Sequence, residues 1–384
     1  MRICVVYDCL FPHTIGGGER WYRSLSERLA KEGHEVTYLT LRQWPRGATP
    51  DAPAGVKVCT AGPRMALYVG ARRRIAPPLV FGAGVLWHLL GHGRRYDVVH
   101  TAAFPYFSLL AAGVLRRTIG YRLVVDWFEL WSREYWRGYL GAVGGRVGWA
   151  VQRLGVRLPQ HAFCFARLTA GRLGEEGVGG PVTVLEGMVA GLPEAQAPAP
   201  AEPLVVFAGR HIPEKRVPAL VPAVAHARER LPGLRAAILG DGPDREEVLA
   251  HVRALGLSDV VDVPGFVDGD ELHATLRRAL CLVLPSAREG YGMVVVEASA
   301  AGVPSVVCAA PDNAAVELID EGVNGTVAPD ASPEALAAAI ERVHAGGEAL
   351  RASTAAWYAR NAHRLSLEAS LDRVSAAYRG EVAS

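Results

Sequence analysis

The sequence predicts an α/β protein made of two halves, each a doubly wound parallel β-sheet covered by helices on both faces. Short, continuous apolar runs alternate with amphipathic segments, which is typical of parallel strands that are buried on both faces. A proline-punctuated stretch, Ala195–Pro203, interrupts this alternation, and the alternation then starts again. A chain of 384 residues is also too long for one ordinary core and about right for two domains.

The first half begins with a strand at Ile3–Val6, an amphipathic helix at Glu19–Lys31 and a second strand at Glu35–Leu39. Four further strands are predicted, with helical segments between most of them: Val56–Cys59, Val98–His100, Tyr121–Val125 and Ala162–Phe165. We therefore expect an N-terminal, Rossmann-like domain at 1–195, followed by a linker at 196–203.

The second half repeats the pattern over residues 204–364. Its predicted strands are Leu204–Phe207, Arg235–Leu239, Val260–Val263, Leu280–Leu284 and Ser305–Val307. Its predicted helices are 216–230, 244–255, 270–278 and 292–301. Two such domains place a cleft between the carboxyl ends of their sheets, where ligands bind in doubly wound folds. The segment 365–384 is predicted to be helical, and packing back on the first domain is one interpretation of it.

The composition of the chain argues against several classes of function. A net charge of +2 gives no support for general nucleic-acid binding. The six cysteines are scattered and form no CxxC or zinc-ligand spacing, which indicates buried thiols in a reducing cytosol. The apolar run at the N-terminus is too short for a secretory signal, and the longest apolar stretch, Ile75–Leu90, is too short and too broken to span a bilayer. We expect a soluble, cytoplasmic protein.

Every charged side chain from Ala52 to Tyr96 is positive. One interpretation of this basic 57–95 region is peripheral contact with the inner face of an anionic membrane, or with a phosphorylated acceptor. A solvated helix face explains the same charges equally well. The sequence leaves both readings open, and it leaves the oligomeric state unknown.

The first loop carries three glycines, Gly16, Gly17 and Gly18, directly before a predicted helix. Glycines let the backbone approach a ligand closely, and a helix N-terminus favours phosphate. The spacing is not GxGxxG, and no acidic residue ends the second strand, so a dinucleotide fingerprint is missing. Proximity to phosphate or acceptor and a flexible turn are the two interpretations.

In the second half, Arg210 follows a strand and Lys215 lies five residues later, where the next helix is expected to begin. Two cations at the carboxyl end of a strand can converge on one diphosphate, because Arg offers a bidentate fork and Lys a mobile point charge. A solvated basic turn is the alternative.

Glu289 and Glu297 are the most informative pair in the sequence. Glu289 lies in a glycine-rich turn after a strand, and Glu297 lies more than one turn into the following helix. The first amides of that helix, at Gly292, Met293 and Val294, point towards whatever lies between the two carboxylates. This arrangement suits a nucleotide sugar, because helix amides bind its phosphates and carboxylates accept hydrogen bonds from its hydroxyl groups. Ordinary surface charges are the alternative.

These segments resemble glycosyltransferase family 4, whose retaining enzymes have the GT-B architecture of two Rossmann-like domains facing a central cleft. Glu289 and Glu297 reproduce the spacing of its E-x7-E motif, and Arg210 with Lys215 is similar to its G-R…K diphosphate clamp. Further likenesses cover nearly the whole chain: the glycine loop 16–18, the turn Gly240-Asp241-Gly242-Pro243, and Gly265-Phe266-Val267, whose backbone lies against the base in the family.

The resemblance implies a retaining, metal-independent hexosyl- or glycosyltransferase without a cofactor. Its donor is a UDP- or GDP-sugar, and its acceptor is a hydroxyl group of a glycan, glycolipid or secondary metabolite. Glu289 is implied to contact the donor-sugar hydroxyls, Glu297 the ribose, and Arg210 and Lys215 the leaving diphosphate. The implied donor-binding residues are Gly17, Gly18, Arg210, Lys215, Gly240, Phe266, Val267, Glu289, Gly290, Tyr291, Gly292, Met293, Val294 and Glu297.

One departure from the family lies after the predicted strand Tyr121–Val125. The family usually has a histidine there, close to the donor sugar, and the corresponding position here is Phe128. We expect Asp126 to take over the catalytic role, with Glu129 or His100 as alternatives, or the donor sugar to be bound differently. This departure also motivates a rival hypothesis, a non-catalytic nucleotide-sugar-binding subunit. A sugar-nucleotide epimerase is a third.

Asp268 and Asp270 resemble the DxD metal motif of the other glycosyltransferase architecture. They precede a predicted helix, however, and an aspartate that caps the start of that helix is the simpler interpretation. No cluster of His, Cys and carboxylate residues in the sequence suggests a tight metal site.

Overall fold

The computed structural model describes residues 1–69, 72–191 and 200–381. It divides the chain into two compact units: unit 1 is Met1–Met188 with Ser370–Ser384, and unit 2 is Val189–Ala369. The predicted linker, 196–203, falls partly outside the described residues, and 200–203 contain no helix or strand. The domain boundaries at 195 and 364 stay predictions.

Unit 1 is built on a seven-stranded parallel sheet with the strand order β3-β2-β1-β6-β7-β8-β9. Its strands are β1 (Arg2–Val6), β2 (Glu35–Thr40), β3 (Val56–Thr60), β6 (Val98–Ala102), β7 (Arg122–Trp127), β8 (His161–Cys164) and β9 (Val182–Val184). A small antiparallel hairpin, β4 (Tyr68–Val69) and β5 (Arg72–Arg73), stands outside this sheet.

Helices cover both faces of this sheet. They are α1 (Gly17–Lys31), α2 (Ala76–His92), α3 (Tyr106–Ile119), α4 (Arg133–Val156), which is kinked at Gly141, and α5 (Arg167–Glu175). The chain moves towards one edge of the sheet from β1 to β2, and towards the other edge from β3 through β6, β7 and β8. Because such crossovers are right-handed, α1 lies on one face, and α2, α3 and α4 lie together on the other.

Unit 2 has a six-stranded parallel sheet with the order β12-β11-β10-β13-β15-β17. Its strands are β10 (Leu204–Ala208), β11 (Arg235–Leu239), β12 (Val261–Gly265), β13 (Cys281–Leu284), β15 (Ser305–Cys308) and β17 (Gly325–Ala328), with a separate pair of β14 (Arg288–Glu289) and β16 (Asp312–Asn313). Its helices are α6 (Leu220–Arg228), α7 (Arg245–Ala254), α8 (Gly269–Arg278), α9 (Met293–Ala300) and α10 (Pro333–Leu365), which is kinked at Gly347. The last helix, α11 (Leu367–Arg379), contributes its residues from Ser370 onward to unit 1.

The predicted fold class, two doubly wound parallel-sheet halves, is confirmed. The predicted strands and helices are present, with ends that differ by a few residues. The strands at Val182–Val184 and Gly325–Ala328 and the long helix Pro333–Leu365 were not predicted. Among the described residues, no helix combines the length and the apolar character that crossing a bilayer requires.

Candidate functional site

A cavity of about 340 Å³ lies in unit 2 where three strands end. The loops after β10, β11 and β12 form its walls together with the start of α9. Its lining residues are Ala208, Gly209, Arg210, Leu239, Gly240, Asp241, Phe266, Val267, Leu272, Met293, Val294 and Glu297. Carboxyl ends of parallel strands are where doubly wound folds bind their ligands, so this position is a natural binding site.

Two glycines allow close packing of the backbone, one in the cavity wall and one beside it. Gly240 has φ +119°, and a Cβ atom there would lie 1.9 Å from the carbonyl oxygen of Gly209. The Gly240 amide donates to the carbonyl oxygen of Gly265 at 2.7 Å, so the ends of β11 and β12 are held together. Gly292 has φ +102°, and a Cβ atom there would lie 2.8 Å from the Cβ atom of Ala315. Only glycine fits such positions without strain.

The start of α9 gives the cavity a wall that favours anions. Gly292 caps the helix, and the next two residues, Met293 and Val294, line the cavity. The first amides of a helix have no partner within the helix, and its dipole favours negative charge at this end. Glu297 lies one turn further along and also faces the cavity. With Arg210 on the opposite loop, the cavity combines a guanidinium, helix amides and a carboxylate.

The other predicted pair, Lys215 and Glu289, lies beside this cavity rather than in its lining. The Lys215 ammonium donates to Glu289 Oε1, and the Ser286 hydroxyl donates to the same oxygen at 2.9 Å. Both side chains are largely buried, with 19% of Lys215 and 9% of Glu289 exposed. The Ala287 amide also donates to the carbonyl oxygen of Glu214 at 2.8 Å, so the loop that carries Lys215 is fixed to the turn that carries Glu289.

The cavity thus brings together half of the predicted donor-binding set: Arg210, Gly240, Phe266, Val267, Met293, Val294 and Glu297. In the turn before α9, Tyr291 is 6% exposed and packs into the core. Sequence reasoning missed Leu239 and Leu272, which supply apolar lining. Leu239 ends a strand and Leu272 lies in the first turn of α8. The signal for Leu239 was its place at the end of a predicted strand, and the signal for Leu272 was its place in the first turn of the helix that follows β12.

Asp126 lies in the core of unit 1, where it is 0% exposed. Its Oδ2 atom accepts a hydrogen bond from Trp21 Nε1 at 2.7 Å, and its Oδ1 atom lies 2.8 Å from His100 Nε2. The other ring nitrogen of His100 contacts the Tyr378 hydroxyl from α11. Buried charge is stable only when it is paired in this way. In this conformation the Asp126 carboxylate supports the fold, and a direct catalytic role stays a prediction.

This network makes a prediction for stability. Replacing Tyr378 by Phe removes the hydroxyl and leaves a buried nitrogen of His100 without a partner. We expect a loss of about 1–3 kcal/mol in the free energy of unfolding, because an unsatisfied buried group costs that much. Urea unfolding of Tyr378→Phe against wild type measures the difference.

Tyr139→Phe is the matched control, because Tyr139 is only half-buried and lies on α4, outside this network. Equal losses for the two variants would contradict the assignment of a stabilising role to the Tyr378 hydroxyl.

The glycine loop opens α1, which begins at Gly17. A Cβ atom at Gly18 would lie 2.6 Å from the Tyr7 hydroxyl, so the loop packs closely on the end of β1. The Glu19 carboxylate folds back against Gly16 at the start of the helix. A carboxylate at this position repels a phosphate. The observation therefore favours a neutral, hydroxylated group beside Gly17 and Gly18 over a phosphate, and their role in donor binding stays a prediction.

Phe128, at the position of the expected histidine, forms an apolar surface at the end of β7. Its ring stacks on Phe165 with centroids 5.0 Å apart and planes 3° apart. His100 does not replace the missing histidine at an accessible position, because it is 0% exposed.

Asp268 caps α8, since its Oδ1 atom accepts a hydrogen bond from the Glu271 amide at 2.9 Å. An aspartate therefore caps this helix, but Asp270, which the sequence places directly before the helix, lies in its first turn. Metal-independent chemistry stays a prediction.

Comparison with known proteins agrees with this geometry. Residues 15–189 match the profile described as Glycosyltransferase Family 4, and residues 192–356 match that of Glycosyl transferases group 1. The chain is 30% identical over 322 residues to a D-inositol 3-phosphate glycosyltransferase of Segniliparus rotundus, across 70% of this chain and 69% of that protein. Other curated relatives are matched over as little as 16% of their length.

Two solved structures share the fold over almost the whole chain. Sucrose-phosphate synthase from Thermosynechococcus elongatus superposes with a TM-score of 0.77 at 19% identity, covering 99% of this chain and 98% of that one. Anabaena Alr3699/HepE, solved in complex with UDP, superposes with a TM-score of 0.72 at 18% identity, covering 99% of this chain and 100% of that one.

Proposed function

Because the chain belongs to glycosyltransferase family 4, and so transfers a sugar from a nucleotide-sugar donor, we propose that the unit 2 cavity binds the nucleoside diphosphate of that donor. The observation that carries the proposal is the convergence of Arg210, Phe266 and the start of α9 on one cavity. The family resemblance inferred from the Glu289–Glu297 spacing is confirmed, and we propose a hydroxyl group as the acceptor.

Within this proposal, Arg210 and the first amides of α9 neutralise the diphosphate. The guanidinium forms bidentate hydrogen bonds with phosphate oxygens, and the helix dipole stabilises the charge that grows as the diphosphate leaves. Lys215 adds a second cation from the adjoining loop. Its ion pair with Glu289 holds both side chains in place before the donor binds. Glu289 then accepts hydrogen bonds from the hydroxyl groups of the donor sugar.

The nucleoside occupies the side of the cavity formed by Phe266, Val267 and Glu297. Phe266 is 78% exposed, which is unusual for an aromatic side chain of this size and suits a surface on which a base stacks. The Glu297 carboxylate accepts hydrogen bonds from the ribose hydroxyl groups. The UDP complex of Anabaena Alr3699/HepE supports a UDP-sugar as the donor, with a GDP-sugar as the alternative.

The reaction proceeds with retention at the anomeric carbon. The bond from that carbon to the diphosphate oxygen breaks, the acceptor oxygen forms the new bond on the same face, and the acceptor proton passes to the departing phosphate oxygen. No protein nucleophile takes part. Asp126, near the end of β7, acts as a positioning residue through its contacts with Trp21 and His100.

Phe266→Ala provides a test of the nucleoside side of the site. Stacking of a base on an aromatic ring is worth about 1–3 kcal/mol, so we expect UDP to bind about tenfold more weakly. Calorimetric titration measures this, with Leu255→Ala as a control, since Leu255 is an exposed apolar residue of unit 2 outside the cavity. Equal UDP affinities for wild type and Phe266→Ala would show that the base does not stack on Phe266.

Thermal-shift screening with UDP- and GDP-sugars, followed by measurement of nucleoside diphosphate release with acceptors, tests the function itself. A donor that binds the folded protein raises its melting temperature. Phe128 favours a second candidate, a non-catalytic subunit, which would bind the donor and release no diphosphate with any acceptor. An epimerase would convert the donor without an acceptor.

The proposal includes peripheral contact with an anionic membrane at its inner face through the basic 57–95 region. Arg74, Arg94 and Arg95 are exposed there and available for lipid phosphates. Arg73, in contrast, pairs with the buried Asp8 and lies over the ring of Phe104 at 4.9 Å, so it contributes to the fold of unit 1.

A further inference from the structure

Exposed hydrophobic side chains are concentrated on one helical layer of unit 1, formed by α2, α3 and α4. Thirteen large hydrophobic side chains are exposed among the described residues, and ten of them lie on this α2–α4 layer or directly beside it. They are Ile75, Leu79, Leu86, Trp87, Leu90, Val114, Leu140, Val143, Val147 and Leu154. Such a concentration on one face marks an interaction surface.

The spacing of these residues shows that they form stripes. On α2 the exposed positions Leu79, Trp87 and Leu90 recur at helical intervals, while Phe81, Val85 and Leu89 are buried on the opposite side. After the kink in α4, Val143, Val147 and Leu154 recur in the same way. Helix α2 contacts α3, and α3 contacts α4, so the stripes belong to one continuous layer. A helix that is apolar on both sides has an outer face suited to a second apolar environment.

The charge of the layer identifies that environment. The three helices carry six arginines and one acidic residue, Glu134. Over the wider segment 52–172, seventeen Lys and Arg residues stand against four Asp and Glu residues. Arg94 and Arg95 are exposed just beyond the end of α2, next to the stripe that contains Trp87. Apolar residues flanked by arginines, with a tryptophan between them, are typical of a surface that lies in the interface of an anionic bilayer.

We propose that the α2–α4 layer docks on an anionic lipid bilayer, with Trp87 and the apolar stripes entering the headgroup region and the arginines binding lipid phosphates. This inference rests on the membrane contact proposed above and deepens it: the contact extends from α2, Arg94 and Arg95 of the basic 57–95 region to the exposed faces of α3 and α4. A polar protein partner would match neither the apolar stripes nor the absence of acidic residues from α2.

Flotation of the full chain with vesicles tests the proposal. We expect wild type to bind vesicles of phosphatidylcholine and phosphatidylglycerol in equal amounts, and to bind phosphatidylcholine vesicles far more weakly. Trp87→Ser is expected to lower partitioning about tenfold, since it removes a large apolar side chain from the interface. The double variant Arg94→Gln/Arg95→Gln is expected to lower it by a similar or larger factor on the mixed vesicles.

Leu255→Ser and Arg253→Gln are the matched controls, because both residues are exposed and belong to unit 2, whereas the layer belongs to unit 1. They are expected to bind vesicles like wild type. Trp87 is 80% exposed, so its replacement leaves the fold intact, and the rise in melting temperature with UDP should be the same as for wild type. If UDP raises the melting temperature but the protein binds no vesicles, only the docking surface is refuted. If the protein binds vesicles but UDP does not raise the melting temperature, only the donor site is refuted.

Two other results would overturn the proposal. One is vesicle binding by Trp87→Ser and by the double arginine variant at the wild-type level. The other is concentration-dependent self-association of wild type that Trp87→Ser abolishes while neither vesicle binds, which would assign the layer to a second copy of the chain.

Discussion

Arg210→Ala is expected to lower kcat/KM by about a hundredfold to a thousandfold and to leave the fold intact, as is typical when one preorganised group that stabilises transition-state charge is removed. Arg210 lines the cavity together with Met293 and Val294 at the start of α9, where we propose that negative charge is neutralised as the diphosphate leaves. Steady-state kinetics with a donor that the thermal-shift screen identifies measures the loss.

Arg253→Ala is the control for general effects of removing a cation, since Arg253 is exposed on α7 outside the cavity. Arg210→Lys should recover only part of the activity, because an ammonium lacks the planar fork that binds two phosphate oxygens at once. Near-normal turnover by Arg210→Ala would contradict the diphosphate assignment.

Glu289→Gln and Lys215→Met are each expected to lower kcat/KM by about a hundredfold, and the double variant is expected to lose little more than either alone. The reason is their contact: each of the two side chains positions the other, and Ser286 donates to the same Glu289 oxygen. Once one member is gone, the remaining member is no longer held where it acts on the donor.

Steady-state kinetics of the two single variants and the double variant measures the interaction energy between the two side chains. Ser286→Ala is the control that weakens only the hydrogen bond to Glu289, and we expect a smaller loss from it. Melting temperatures of all four variants separate damage to the fold from damage to the site. Fully additive losses would show that Lys215 and Glu289 act independently.

Much of the fold could be predicted because its strands are continuous apolar runs separated by helical segments. The strand Arg235–Leu239 was predicted at its exact bounds for this reason. Val182–Val184 was missed, because a run of three residues carries too little periodicity to distinguish it from a loop. The order of strands within each sheet depends on long-range pairing that no local pattern contains.

Half of the predicted donor-binding residues line one cavity, and they were predictable because the glycines and charges follow predicted strands directly. The Lys215–Glu289 ion pair was not, since the two residues are 74 positions apart and only folding brings their side chains together. The same holds for Asp126, whose partners Trp21 and His100 come from α1 and β6, while His100 in turn contacts Tyr378 from α11.

The exposed face of helix α2 could not be predicted from the sequence either. Its sequence is apolar on all sides, so the hydrophobic pattern does not reveal which face is buried. In the folded chain α2 contacts α3, and Trp87 belongs to the face of α2 that stays exposed.

We propose that the unit 2 cavity recognises the donor through its diphosphate. Calorimetric titration of wild type and Arg210→Ala with UDP and with uridine tests this recognition, with GDP and guanosine replacing them if that base is preferred. We predict that wild type binds UDP far more tightly than uridine, that Arg210→Ala loses most of this advantage, and that uridine binding is unchanged. An equal preference for UDP over uridine in both proteins would show that Arg210 does not bind the diphosphate.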